Sequence, residues 1–224
     1  MLSVLGFDTA GAGASAAILR GDRIVAERVA MERGQAQTLI PLIGDVLVEA
    51  GLDASELDLI AVTVGPGSFT GLRIAIATAR GLSAASGVPA LGVSSFDAVA
   101  AQVESDMLRG RPLLVALDTK RDDFYLQVFD EAGKRSKNAA LLSHSAIAEW
   151  LPAGRFLVAG DAASRVLPFL TGREVELCPG TERARASDVA RLAASRWWSG
   201  AKIDPPGPIY LRAPDVSFPP ARRH

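Results

Sequence analysis

The chain of 224 residues contains one cysteine, Cys178, and two histidines, His144 and His224. A single cysteine excludes a disulfide scaffold and a cysteine-based zinc cluster. Cys178 lies between Leu177 and Pro179 at a strand end and reads as a small apolar filler. No His-x-x-x-His occurs, so a histidine metal site lacks its ligands. A Ser-His-Asp triad would have to use His144, in a polar Leu-Ser-His-Ser turn better suited to entering a helix. An excess of positive charge is missing too. Lys and Arg number 24 against 25 Asp and Glu, giving a net charge of −1 and a pI near 6.1. That balance excludes a general electrostatic grip on nucleic acid or on an anionic membrane. No uncharged run is long enough for a membrane-spanning helix, because Gly, Pro and Ser interrupt the longest ones. The N-terminus has no basic region and meets Asp8 early, unlike a signal peptide. A soluble, cytoplasmic protein is expected.

What is abundant is apolar: 49% of residues are hydrophobic and 22% charged, with a mean hydropathy of +0.21. This excess has to enter cores or a surface covered by a partner.

Along the chain, Leu2–Phe7, Ser15–Leu19 and Ile24–Val29 read as three strands of an antiparallel meander, turned at Gly11, Gly13 and the polar run 20–23. A helix is predicted over Gln35–Ala50, stopped by Gly51. A central parallel strand at Leu57–Val64 is broken by Gly65-Pro66-Gly67, and Ser68 caps a second helix running to Ser86. Pro89–Val93 is a strand and Ser95–Met107 a helix. The second half opens as the first does. Leu113–Leu117 runs into Asp118-Thr119 as Val4–Phe7 runs into Asp8-Thr9, which suggests an internal duplication. Strands follow at Asp123–Asp130, Arg155–Ala159 and Glu174–Leu177. Helices are predicted at Ser145–Leu151 and Ala162–Leu170, and a last one, capped by Ser187, runs to Trp198. The tail from Asp204 holds many prolines and should be irregular and partly disordered. The expected division is residues 1–108 as a first lobe carrying the interface helices, 109–203 as a second lobe whose last helix packs back on the first, and 204–224 as the tail.

The segment from Gly65 to Arg73, Gly-Pro-Gly-Ser-Phe-Thr-Gly-Leu-Arg, sits between a strand and a helix, where backbone amides could cradle an anion. It lacks the Gly-Lys-Ser/Thr of a Walker loop, the third glycine of a dinucleotide fingerprint, and the flanking glycines of a nucleophile elbow. The other reading is that its glycines serve a sharp turn and close helix packing. Asp8 and Asp118 each end a core strand; each could serve a metal or phosphate, or could pin its own turn through backbone N–H groups. Arg183, Arg185, Arg191 and Arg196 beside Trp197 and Trp198 could stack on bases. Glu182 and Asp188 dilute that patch, and tryptophans at a helix end also serve as packing anchors. Any tRNA contact there would be auxiliary.

The two long helices are apolar around more than one face, which exceeds what covering one sheet requires. The surplus faces are expected to build half of an intermolecular helical bundle. Candidate interface residues are Gln35, Leu39, Leu42, Ile43 and Val46 on the first helix, with Phe69, Thr70, Arg73, Ile74 and Ala77 on the second. The pattern leaves open which face meets the sheet.

Several segments together resemble the bacterial TsaB (YeaZ) family over almost the whole chain. They are Leu5–Ala10, the Gly65–Arg73 loop, Gly87–Pro89 with Gly92–Ser95, Leu117–Asp122 and Pro208–Arg212. The resemblance implies an α/β, duplicated actin/hexokinase-like (ribonuclease-H-like) fold with two lobes, each a mixed sheet flanked by helices. It also implies a non-catalytic subunit, without cofactor or metal, that binds and activates TsaD for N6-threonylcarbamoyl transfer to the tRNA adenosine next to the anticodon. TsaE is a further implied partner, tRNA is met only indirectly, and a homodimer could use the same helices. Catalytic relatives carry a metal-binding His-x-x-x-His where this chain has Ser95 and Val99, neither of which replaces an imidazole. Many family members also have a histidine where Gln35 stands here. Asp8 and Thr9 are the candidates for any residual nucleotide contact. Two other readings stand beside this one: an autonomous ATP-dependent, kinase-like transferase on the same fold, and a glycoprotease-type metallopeptidase, against which the missing histidines weigh.

Overall fold

Strand Ser3–Asp8 (β1) is buried along its whole length, and its side chains alternate between two separate cores: Leu5 and Phe7 enter one, Val4 the other. This is the behaviour of a central strand covered on both faces. The computed structural model describes residues 1–31, 34–200 and 205–212. In the first lobe Ala14–Arg20 (β2) and Arg23–Ala30 (β3) complete an antiparallel meander. Helix α1, Gln35–Ala50, leads to the parallel strand Leu59–Thr63 (β4). Helix α2, Phe69–Ser86, leads to Ala90–Val93 (β5), and the sheet order is β3-β2-β1-β4-β5. Gly51 ends α1 in the left-handed region at φ 63°, its N–H bonding back to the last-turn carbonyls. The Ser68 hydroxyl accepts the Gly71 N–H and starts α2.

Two short helices follow, Ser95–Ala100 (α3) and Ser105–Leu108 (α4), with residues 101–104 turning between them where a single helix was expected. Glu104, with extended backbone, acts as the N-cap of α4 and ends that continuity. The second lobe repeats the first with Leu113–Asp118 (β6), Asp123–Phe129 (β7), Ala140–Ser143 (β8), helix His144–Trp150 (α5), Arg155–Ala159 (β9), helix Ala163–Val166 (α6) and Glu174–Leu177 (β10). Its order, β8-β7-β6-β9-β10, and its pattern of antiparallel and parallel pairs match the first lobe strand for strand. This is the duplicated actin/hexokinase-like arrangement. Strand β8 had no counterpart in the sequence pattern; its four residues are too short for alternation to show.

The last helix, Ala186–Trp198 (α7), leaves its own half of the chain. Val189, Ala190, Ala193 and Ala194 cover the face of the first sheet that carries Val4, Leu59, Ala61 and Val93. In exchange, Phe96 and Val99 of α3 and Leu108 of α4 cover the second sheet over Leu113, Val115 and Leu157. Helices α1 and α2 fill the opposite face of the first sheet, and α5 and α6 that of the second. Ser187 does not cap α7, as Arg185 holds the N-cap position; the Ser187 hydroxyl instead donates to Glu27 Oε1 of β3 at 2.7 Å. Residues 205–212 run without regular structure back across the first lobe, with Arg80 Nε donating to the Pro206 carbonyl and Ile209 N–H to the Val64 carbonyl. The remaining tail expectation, with His224, concerns 204 and 213–224, which lie outside the described residues.

Candidate functional site

Two places collect the candidate residues: the outward side of α1 and α2, and the cleft between the lobes.

On α1, the burial of four interface candidates corrects the expectation. Leu39, Leu42, Ile43 and Val46 sit in the core against the sheet, with Leu39 and Val46 fully enclosed. Their spacing is the i, i+3, i+4, i+7 stripe that any helix on a sheet must bury. Gln35 is also turned inward: its amide donates to the Gly11 and Gly13 carbonyls at 2.9 and 3.1 Å and fastens the start of α1 to the β1–β2 turn. Ile74 is half-buried and packs against the same core. Phe69, Thr70, Arg73 and Ala77 are exposed, with Phe69 and Arg73 at the rim of the cleft between the lobes. Sequence reasoning missed the residues that join them, Ile40 (54% exposed) and Val48 (82% exposed) on α1, with Gly44 one turn from each. Gly81 and Ala84 extend the α2 side. Both helices lie on one face of the sheet and touch each other.

The cleft is walled by the β1–β2 turn, the Pro66–Phe69 loop, the start of α3, the end of β6 and the strap 209–212. Asp8 ends β1 but does not line it. Its carboxylate accepts the Thr63 hydroxyl and the Ala10 N–H, and burial pushes it above the usual carboxylate range against the pull of those bonds. Thr9 is fully enclosed and its hydroxyl donates to the Gly71 carbonyl at 2.7 Å. Both candidates for nucleotide contact are thus spent inside the lobe, pinning the turn and seating α2. A Cβ on Gly71 would stand 1.9 Å from the Thr9 carbonyl oxygen, so only glycine allows that seat. The Gly65–Arg73 glycines here serve close packing.

Asp118, the counterpart in the second lobe, does line the cleft. Burial alone would raise its carboxyl, but hydrogen bonds from Lys120 and Arg165 outweigh it and hold it below the usual range. Asp161 accepts the Asp118 N–H at 2.7 Å. Although its side chain reaches solvent, the concave wall desolvates it, and with Asp118 alongside its carboxyl is raised. Ser95 and Val99 are both buried in the cleft wall. Among the described residues no three histidine, cysteine or acidic side chains converge as metal ligands. His144 opens α5 with its ring 5.0 Å from Phe169, and Cys178 is buried in the second lobe. Trp198 is 71% exposed, which rules it out as a packing anchor. No helix of the described residues is long and apolar enough to cross a membrane.

With this geometry in hand, the family model described as TsaD, tRNA N6-adenosine threonylcarbamoyltransferase, matches residues 28–170. An uncharacterized protein of Mycobacterium tuberculosis is 34% identical over 217 residues, covering 96% of this chain and 93% of the relative. The solved structure of YeaZ from Pseudomonas aeruginosa superposes with a TM-score of 0.81 at 28% identity, over 94% of this chain and all of that one. The chain belongs to the TsaD family, and within it to the TsaB (YeaZ) proteins. The tRNA threonylcarbamoyladenosine biosynthesis protein TsaB of Escherichia coli is 33% identical over 95 residues, covering 42% of this chain and 41% of the relative.

Proposed function

We propose that this TsaB protein acts in tRNA threonylcarbamoyladenosine biosynthesis as a non-catalytic subunit that docks TsaD through the outward stripe of α1 and α2. The observation that carries the proposal is the exposed row Ala77, Gly81 and Ala84 on α2, a helix in contact with α1, on which Ile40 and Val48 are exposed. Small residues let a partner helix approach closely, and the two apolar side chains supply the anchors of such an interface. Two helices of this length can offer the roughly 800 Å² per partner that a specific complex buries. The non-catalytic role is supported by chemistry: Ser95 and Val99 stand where the resemblance expects histidines, and Asp8 and Thr9 are consumed in packing.

Co-expression with the TsaD of the same organism tests both halves. Ala77→Arg should abolish co-purification and cut modification of unmodified tRNA to the level of TsaD alone, while the melting temperature stays within a few degrees of wild type, since Ala77 faces outward. Retained association in the variant, or full tRNA modification without this chain, would overturn it. Leu39→Asp is the contrasting control: it should unfold the first lobe.

A further inference from the structure

The cleft between the lobes encloses about 820 Å³, the size range of small-molecule sites, and the docking proposed above does not use it. One hydroxyl in its wall is unsatisfied. Ser95 is 4% exposed; its N–H donates to the Gly65 carbonyl at 2.8 Å, but among the described residues its Oγ has no hydrogen-bond partner. Buried hydroxyls are paired in folded proteins, and this one belongs to a residue that lines the cleft.

A second, independent feature lies at the cleft rim. Phe69, from α2, and Tyr210, from the strap, place their rings 5.9 Å apart at 35°, and the Arg73 guanidinium lies 3.8 Å above the Phe69 ring. Among the described residues no carboxylate pairs with Arg73, whereas Lys120 and Arg212, which also line the cleft, are held by Asp118 and Asp123. The strap that delivers Tyr210 is fixed at one end to α2 through Arg80 and at the other to β7 through the Arg212–Asp123 pair. An aromatic shelf, a cation without an acid and an unpaired buried hydroxyl therefore line a single cavity.

We propose that this cleft binds a small organic anion with a flat aromatic body. The ring packs on Phe69 and Tyr210, the anionic group pairs with Arg73, and a polar group reaches Ser95 Oγ. A metal-bound triphosphate is disfavoured, since neither Asp8 nor Thr9 lines the cleft.

The test uses the whole chain and 8-anilinonaphthalene-1-sulfonate, an aromatic anion whose fluorescence reports entry into an apolar site. Saturable one-to-one binding is expected, displaced by 1-naphthalenesulfonate but not by sulfate or 1-naphthol alone at equal concentration. AMP and 4-hydroxybenzoate, as separate competitors, distinguish a nucleoside monophosphate from an aryl carboxylate. Arg73→Gln should weaken binding roughly tenfold or more, and Ser95→Val about fivefold, with melting temperature unchanged or raised in the second. Unaltered binding in both variants, loss in Trp198→Ala instead, or Mg-ATP binding tighter than every monoanion would overturn the proposal.

Discussion

The two lobes share a strand order and an Asp-Thr at the end of the first strand, yet they use that pair in opposite ways. In the first lobe Asp8 and Thr9 are enclosed and bonded to the lobe's own loops. In the second, Asp118 faces the cleft between Lys120 and Arg165, and Thr119 bonds the Asp123 carbonyl in its own turn. The difference follows from what sits above each strand end. Helix α2 begins directly against the Thr9 carbonyl through Gly71, whereas nothing comparable closes over Asp118. A duplicated motif thus keeps its backbone role in both copies, while its side chains answer to whatever lies overhead.

The largest test of this comparison targets the strand position two residues before each aspartate, Gly6 in β1 and Ala116 in β6. A Cβ at Gly6 would lie 2.4 Å from the Ala186 carbonyl oxygen, because α7 rests directly on the β1 backbone. Gly6→Val should cost more than about 3 kcal/mol by urea denaturation, from overpacking that backbone cannot relieve. Ala116→Gly should cost about 1 kcal/mol. Comparable losses at the two positions would mean that α7 is not seated as described.

A smaller effect is expected at the aspartates. Asp8→Ala leaves the Thr63 hydroxyl and the Ala10 N–H without their acceptor inside the lobe, a loss of about 2–3 kcal/mol. Asp118→Ala breaks solvent-facing pairs and should cost about 1 kcal/mol or less. Denaturation midpoints of the two variants, measured side by side at pH 7, would show equal losses if the lobes were alike.

The subtlest contrast is in acid. The Asp8 carboxyl is raised above 3.8 in the fold, so its contribution to stability is full below that value and lost as pH rises through the folded pKa. The Asp118 carboxyl is lowered, so its contribution is present above 3.8 and lost as pH falls. Between pH 6 and pH 3, Asp8→Asn should therefore lose more stability than wild type and Asp118→Asn less. A pH series of urea midpoints showing the same slope for both would remove the distinction.

Much of this frame was legible in the residues. The strand-Asp-Thr repeat announced the duplication, and Gly51 and Ser68 marked helix ends that the structure keeps. What was not legible has a common cause: apolar periodicity records that a residue is buried, not against what. Leu39 and Val46 therefore looked as suited to a partner as to the sheet, and only the burial of one stripe revealed Ile40 and Val48 as the outward pair. Ser187 has the right residue type for a cap, but the nearby Glu27 claimed its hydroxyl. The Phe69–Tyr210 shelf joins segments more than a hundred residues apart, which no local pattern encodes.

The exchange of helices between lobes sets an order of events during synthesis. When the ribosome has made β1 to β5, one face of their sheet still lacks Val189, Ala190, Ala193 and Ala194. About 90 further residues must be translated before α7 arrives, a wait on the order of 5–18 s at ordinary elongation rates. Throughout that interval Val4, Leu59, Ala61 and Val93 form an uncovered apolar face, the kind of surface that chaperones hold. The first lobe to be made is therefore among the last parts to be finished, and a chain halted before Ala186 would leave the ribosome with that face bare.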